Sequence, residues 1–518
     1  MKLQRSQNAI RNVRMGMISR IINLMLPFLV RTVFIRTLGA EFLGVNSLFT
    51  SVLSVLSLTE LGFSSAVVFN MYKAIAEDDG DTIDALLYFY RKVYRYVGLA
   101  IMTLGLLLIP FLPHLTKGSY PAEINPLVVY LVFLLNTAVS YFLFAYLNSL
   151  LEAFQRTDVN ARIDLMMNIA RAALQIVLLL TVRNYYAFLA VMPLFTVLFN
   201  IRIAVVAKKM FPQYKPQGVL PSTVKADIRE KVNGLMIQKL CAVSRNAFDS
   251  IFISVFLGLT QIAIYNNYYY IMNSVTGIMG ILPSAVLAGV GNSIATETRE
   301  KNHRDMMRMN FIYMWLGGWC TVCLLCLYQQ FMRLWAGAEL TLPFSSVVLL
   351  CMYFYTLKMG DISSIYASAS GMWWQNRYRA LLEAVTNIVL NYILGKYFGI
   401  NGIIAATLIS LFLINFCYGS QLIYRYYYTD QRMSQYYISH AKCAAATFAV
   451  CAVSCWLCSL IPETVFGFAC KMILCVIVPN LLYFAIYRRT NMYRESVPWL
   501  LEKIKIAPGG IVWKLLLG

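Results

Sequence analysis

A soluble chain of 518 residues would divide into three or four domains, but 59% of this one is hydrophobic and only 13% is charged, against about 45–50% and 25% in soluble domains. A formal net charge of +20 could serve nucleic acid, yet its distribution along the chain follows membrane topology and argues against that use. A β-barrel is excluded as well, because the apolar residues fall in runs of about 18–25 rather than in short alternating segments.

Backbone groups find no water in hydrocarbon, so apolar runs of this length must be helical. In chain order the pattern predicts membrane helices over 13–37, 44–71, 96–115, 126–151, 161–182, 185–207, 236–257, 262–294, 310–331, 343–370, 379–398, 400–424, 437–460 and 466–487. The start, with Lys2, Arg5, Arg11 and Arg14, superficially looks like a secretory signal. Its apolar stretch is too long and no small-residue site closes it, so it is read as a retained first helix. Assigning alternate gaps to one side places 34 of the 44 Lys and Arg there. Only Arg36, Lys117, Arg183, Arg333 and Lys396 fall on the other side. The basic side is cytoplasmic by the positive-inside rule, which places the N-terminus inside, and an even helix number returns the tail from Arg488 to the same side. The expected fold is an all-α polytopic membrane protein of fourteen transmembrane helices, N-in and C-in.

A shift of 219 residues superimposes Leu38-Gly39 on Leu257-Gly258, Arg20 on Lys239, and Asp164 with Asn168 on Glu383 with Asn387. The common offset predicts two parallel repeats. It gives a six-helix lobe over 1–210, a cytoplasmic linker over 211–235, a second six-helix lobe over 236–430, helices 13 and 14 over 431–490, and a cytoplasmic tail over 491–518.

An ionisable side chain at a membrane helix centre costs about 2.5–3.5 kcal/mol, so each one calls for a partner or a wet cavity. The fifth predicted helix carries Asp164, Asn168, Arg171 and Gln175 on one face, and the eleventh carries Glu383, Asn387 and Asn391. The seventh carries Arg245, Asn246 and Asp249; the first carries Arg31 and Arg36; the second Glu60; the tenth Lys358 and Asp361. Two readings stand side by side. The halves enclose a cationic cavity whose arginines suit phosphate or diphosphate, or Arg245–Asp249, Asp164–Arg171 and Lys358–Asp361 are internal ion pairs that fix packing. Glu60 fits helix packing equally well. Arg31 has no acid within four residues along its helix, which favours the cavity.

Tyr265, Tyr268, Tyr269 and Tyr270, beside Asn266 and Asn267, are expected as an interfacial belt, with stacking on sugar rings as the alternative. Tyr426, Tyr427 and Tyr428 are expected as a second belt. Cys320, Cys323 and Cys326, and Cys455 with Cys458, have metal-like spacing but sit mid-helix with no His or carboxylate nearby. They are read as small apolar packing, with no metal site expected. No phosphate-binding loop is present, and His114, His303 and His440 are placed at helix ends or in loops. The close acidic pair Asp79 and Asp81 lies in a cytoplasmic charge run. These features point away from an enzyme and toward no cofactor.

The chain resembles the oligosaccharide flippases, the Wzx-type polysaccharide exporters of the multidrug/oligosaccharidyl-lipid/polysaccharide (MOP) superfamily. The likeness rests on Pro27-Phe28-Leu29-Val30-Arg31-Thr32, Arg36-Thr37-Leu38-Gly39-Ala40-Glu41-Phe42-Leu43-Gly44 and Leu58-Thr59-Glu60-Leu61-Gly62-Phe63. Asp249-Ser250-Ile251-Phe252-Ile253-Ser254, Leu334-Trp335-Ala336-Gly337 and Phe398-Gly399-Ile400-Asn401-Gly402 extend it through most of the chain. The resemblance implies a MATE-like fold, two six-helix lobes plus two C-terminal helices, working by alternating access. It implies a substrate too: undecaprenyl-diphosphate-linked oligosaccharide repeat units, flipped across the bacterial cytoplasmic (inner) membrane. The product would be a surface polysaccharide of O-antigen, capsule, exopolysaccharide or teichoic-acid type. Under this resemblance the substrate-binding candidates are Arg31, Arg36, Arg171, Arg245 and Asn266. Proton or sodium coupling would fall to Glu60, Asp249, Asp361 or Glu383. Implied partners are the lipid-linked oligosaccharide, membrane lipids, and a glycan polymerase with its export machinery, and no nucleic acid. The alternatives are a MATE-type cation or drug antiporter, which the arginines disfavour, and a lipid II flippase.

Overall fold

The computed structural model describes residues 5–57, 63–118 and 120–503, and within them the side chains of all but 5–10, 13, 63–66, 227, 230, 231, 233–242, 244, 288, 373 and 374. Nineteen α-helices run through these residues, and no strand occurs among them. The chain divides into two compact units, Met1–Ala263 and Ile264–Gly518.

The first unit contains α1 (Arg5–Thr37), α2 (Ala40–Leu56), α3 (Phe63–Ala76), α4 (Gly80–Leu107), α5 (Pro126–Phe142), the short α6 (Asn148–Ala153), α7 (Thr157–Thr181), α8 (Tyr185–Met210) and α9 (Ser222–Leu257). The helix starts are written in local chemistry. The Asn125 side chain accepts from the Leu127 amide at 3.0 Å, with Pro126 in the first turn, and that of Asn184 accepts from the Ala187 amide at 3.1 Å. Each supplies a partner for an otherwise orphaned N–H. Within the unit, α1 lies along α7, α7 along α8, and α5 against both α4 and α8. Large apolar side chains such as Ile21, Leu29 and Met166 are left more than half exposed, at 62%, 58% and 62%. Outward-facing apolar stripes of this kind belong to helices solvated by lipid.

The second unit contains most of α10 (Leu259–Met279), α11 (Ile281–Thr296), α12 (Arg299–Trp335), α13 (Phe344–Met359), α14 (Asp361–Ala369), α15 (Trp373–Ser410), a π-helical stretch Leu411–Tyr418, α16 (Gly419–Tyr426), α17 (Met433–Ser459), α18 (Val465–Tyr487) and α19 (Asn491–Lys503). The long α12 is its axis, packing on α13, α17 and α18. α15 is not one straight rod, because Gly399 takes φ 57°, ψ −134° and breaks it near its middle.

Helix occurs within each of the fourteen expected spans among the described residues, but 126–151, 262–294 and 343–370 each take in two separate helices. Among the described residues, eight stretches are long and apolar enough to cross a membrane, or ten when two bent pairs are counted as spans. One of the eight, Gln375–Tyr426, is 52 residues long. As a helix it would reach about 78 Å, more than twice a hydrocarbon core of about 30 Å. The break at Gly399 falls between the predicted spans 379–398 and 400–424 and resolves that excess. Gly39 and Gly258, superimposed by the 219-residue offset, both adopt left-handed extended backbone, φ 94° and 92°, at a helix-to-helix joint. A side chain would be strained in that conformation.

Candidate functional site

The first unit holds a cavity of 360 Å³ lined by α1, α2, α5, α7 and α8. Arg31 of α1 and Arg171 of α7 both border it. Around them stand Asn23, Asn46, Thr50, Asn168 and Gln175, while Phe133, Phe188 and Met192 provide apolar wall. The parallel run of α1 beside α7 explains how two arginines 140 positions apart in the chain reach one space. A chain of amides then fixes the α1–α7 seam. Asn23 donates to Asp164 at 2.8 Å, Asn168 donates to the Asn23 side-chain Oδ1 at 3.2 Å, and Asn23 also donates to the Ser19 hydroxyl at 3.2 Å. Asp164 is thereby engaged by an amide. Arg171 makes no direct hydrogen bond or short ion pair among the described residues, and the Asp164–Arg171 pairing considered from spacing survives only as a longer-range electrostatic attraction. Tyr185 donates to Asn46 at 2.7 Å and orients that amide at the cavity edge.

Two guanidiniums set among amides and a hydroxyl, with aromatic wall beside them, form an anion-binding space that also offers donors and acceptors to a polyol. Its volume is that of a part-headgroup rather than of a whole oligosaccharide. Asn23 and Asn46 were not singled out from the sequence. The available signal was a polar residue at four-residue spacing before Pro27 and Arg31, a weak one in a helix whose start is already polar.

The remaining sequence candidates lie elsewhere. Arg36 is exposed at the end of α1. Arg245 and Asp249 sit one turn apart on α9, 9% and 0% exposed. Asn266 is half-buried on α10. Glu60 lies outside the described residues. In the second unit Lys358 donates to Asp361 at 2.8 Å, and Tyr313 donates to the same carboxylate oxygen at 2.6 Å. Glu383 pairs with Arg379 at 3.5 Å and accepts from Asn415 at 3.0 Å. Below it, Asn391 donates to Asn387 at 3.2 Å and Asn387 to Thr407 at 2.9 Å. The polar face of the eleventh predicted helix is therefore a buried seam against the helix that follows it.

Three expectations need correction. Tyr265 and Tyr268 are buried rather than interfacial, and the Tyr268 hydroxyl donates to Gln329 at 2.7 Å and accepts from the Leu342 amide at 3.2 Å. Tyr427 and Tyr428 are likewise 9% and 0% exposed, leaving Tyr426 alone at the surface of that triple. A phenol carries its own hydrogen-bonding group, so it can be buried wherever a partner waits. His303 and His440 lie inside α12 and α17, buried against Tyr424 at 2.7 Å and Asn310 at 3.0 Å.

The cysteines converge more than their spacing indicated. The thiols of Cys326, Cys458 and Cys475 lie within 4.8 Å of one another, and Cys326 is 3.4 Å from Cys455. They fill the seam of α12, α17 and α18, consistent with packing by small, polarizable side chains.

Solved structures that share this helical arrangement are membrane transporters. The lipid II flippase MurJ, in an inward closed conformation, aligns with a TM-score of 0.70 at 14% identity, over 92% of this chain and 99% of that one. A multidrug resistance MATE family transporter of the MOP superfamily, inward-facing, aligns at 0.61 and 16% identity, over 80% and 98%. A MOP superfamily transporter from Pyrococcus furiosus aligns at 0.53 and 13%, over 80% and 95%. At such identities the likeness is one of fold, a multi-pass helical arrangement shared with these transporters. Residues 9–288, more than half of the chain, match the family model described as polysaccharide biosynthesis protein. The chain belongs to the polysaccharide biosynthesis protein family, in keeping with its resemblance to the Wzx-type exporters. None of the curated proteins matches its sequence.

Proposed function

We propose that this protein is a flippase for undecaprenyl-diphosphate-linked oligosaccharide in surface polysaccharide synthesis, acting in the bacterial cytoplasmic membrane. One observation carries the reading: Arg31 and Arg171 share a cavity whose other polar lining is asparagine, glutamine and threonine, set against an apolar wall. A diphosphate calls for rigid, permanently charged donors, and the sugar beside it calls for amides. Membership of the polysaccharide biosynthesis family supports a glycan-linked cargo. In this reading the chain crosses the membrane fourteen times with both ends in the cytoplasm, in six-helix repeats over 1–210 and 236–430 followed by 431–490. It alternates between inward- and outward-open states, and a ligand moves that equilibrium only by binding one state better. A proton or sodium ion bound at a carboxylate (Glu60, Asp249, Asp361 or Glu383) would supply such a difference.

The experiment is deletion followed by complementation with R31A or R171A at matched membrane abundance. Lipid-linked repeat units should accumulate on the cytoplasmic side and surface glycan should fall by about tenfold or more, the equivalent of losing one charge-assisted contact of about 1.4 kcal/mol or more. Unchanged glycan export in both variants would overturn the assignment. Arrest of peptidoglycan synthesis would favour a lipid II flippase instead, and sensitivity to cationic dyes with normal surface glycan would favour a drug antiporter.

A further inference from the structure

A larger cavity, 720 Å³, opens in the same unit where α1 and α7 begin and α8 ends. It lies about 25 Å along α1 from Arg31, counted from Arg14 at the helical rise. Five arginines border it: Arg11 and Arg14 from α1, Arg156 and Arg162 at the start of α7, and Arg202 from α8. The only acid among its lining residues is Asp158. That carboxylate is taken up by Arg156, with Nε at 2.9 Å and Nη2 at 3.3 Å. Arg11 also acts electrostatically on Asp158, while Arg14, Arg162 and Arg202 form no ion pair among the described residues, so positive charge dominates the space.

Cations on this side of a membrane protein need no special purpose, since the positive-inside rule alone places them there. Two features go beyond that rule. Topology is satisfied by lysine as well as by arginine, yet every cation lining the cavity among the described residues is arginine, the side chain whose planar fork matches phosphate oxygens. The nearby lysines are not among its lining: Lys208 lies over the Phe144 ring at 5.2 Å, and Lys209 is exposed. The cavity is also built rather than accidental. Asn12 donates to the Gln155 carbonyl at 3.0 Å and accepts from the Asp158 amide at 2.8 Å, locking the start of α1 to the turn that opens α7. Alongside the arginines runs an apolar wall of Met15, Ile18, Met166 and Val206, with Met166 62% exposed and Ile18 41%. A cationic end joined to an apolar wall on membrane helices is complementary to an amphiphile with a phosphorylated head.

We propose that this five-arginine cavity is a docking site for the diphosphate of a polyprenyl-linked molecule on the cytoplasmic side, with the first isoprene units against Met15, Ile18, Met166 and Val206. It rests on the flippase reading for its orientation and its cargo, and it adds a place where cargo is captured before it reaches Arg31 and Arg171. The same chemistry could come from free diphosphate, and the apolar wall is what favours the lipid.

The test uses the full chain, purified in detergent, with a photoreactive analogue of farnesyl diphosphate as probe. Adducts should map to the segments around Met15, Ile18, Met166 and Val206, and farnesol should fail to compete. Inorganic diphosphate should compete at least about tenfold more weakly than farnesyl diphosphate, the loss expected from removing two or more buried CH2 groups. The variant R14Q/R162Q/R202Q, checked for unchanged melting temperature and monodispersity, should lose labelling at these segments. Should that variant misfold, the single variants R14Q and R202Q, each expected to weaken labelling several-fold, carry the same test. Labelling unchanged by the arginine substitutions, or adducts found only elsewhere, would overturn the proposal. Competition by free diphosphate equal to that by the lipid would also overturn it, in favour of a soluble-anion site. The labelling is an equilibrium measurement that needs no translocation. Normal labelling in a protein that exports no glycan would therefore sink the transport reading and leave the docking site standing, and the converse result would separate them the other way.

Discussion

Lys358, 3% exposed, is held by the carboxylate of Asp361 one turn along the chain and shares it with the Tyr313 hydroxyl. Removing one partner strands a charge, whereas removing both removes the need for pairing. K358M alone should therefore destabilise the protein by about 3–5 kcal/mol, and K358M/D361L should recover a large part of that loss; melting temperatures of the two variants in detergent check it. A melting temperature of K358M equal to wild type would mean the pair contributes no structural stability. At the water-facing start of α4, Asp79 accepts from the Thr82 amide at 3.0 Å and the Thr82 hydroxyl at 2.5 Å. These bonds hold its carboxylate below the usual range. A depressed folded value means that the cap is intact above about pH 4, the ordinary value for aspartate, and is lost as pH falls through the lowered one. Hydrogen exchange of the first turn of α4, corrected for intrinsic rates, should lose protection only below that point, and D79N should blunt the change. Among single residues, Arg31 was legible because a cation within an apolar run, with no acid within four residues along the chain, demands an explanation. Asn46 was not, since a lone amide in a helix is ordinary until Tyr185, 139 positions away, is seen to orient it.

Joints between elements carry the next level of specification. A Cβ placed on Gly44 would collide with the backbone carbonyl of Leu259, where the start of α10 crosses α2. G44A should cost about 1–3 kcal/mol through forced separation of the two backbones. Gly399 breaks α15 in a left-handed conformation, and G399A should cost about 1–2 kcal/mol for the same reason that L-residues avoid that region. Thermal unfolding in one detergent, with both variants beside wild type, reads both numbers. The glycines were visible in the sequence as Leu38-Gly39, Leu257-Gly258 and Phe398-Gly399, and hydropathy placed helix on either side of each. The tyrosine clusters were misplaced for a related reason: composition reports an amphipathic ring, but only the neighbouring Gln329 and the Leu342 amide decide that Tyr268 is buried.

For the whole molecule, the asymmetry of Lys and Arg predicts an orientation that fusion reporters can test. Fluorescent-protein fusions ending in 212–220 or after 490 should fluoresce, and alkaline phosphatase fusions ending in 336–341 should be active. The reverse pattern would remove the cytoplasmic placement of the five-arginine cavity. Hydrophobic run length and charge asymmetry are written directly in the order of residues, and they determined that this is a helical, multi-pass membrane protein. Which polar residues meet is not local. Asp164 and Arg171 share a helix face two turns apart without direct contact; Asp164 instead accepts from Asn23 of another helix, while Arg171 joins Arg31 across a seam that only packing creates. The tertiary structure alone decided that, since in a bundle a side chain's partner is set by the neighbouring helix and not by the next turn of its own.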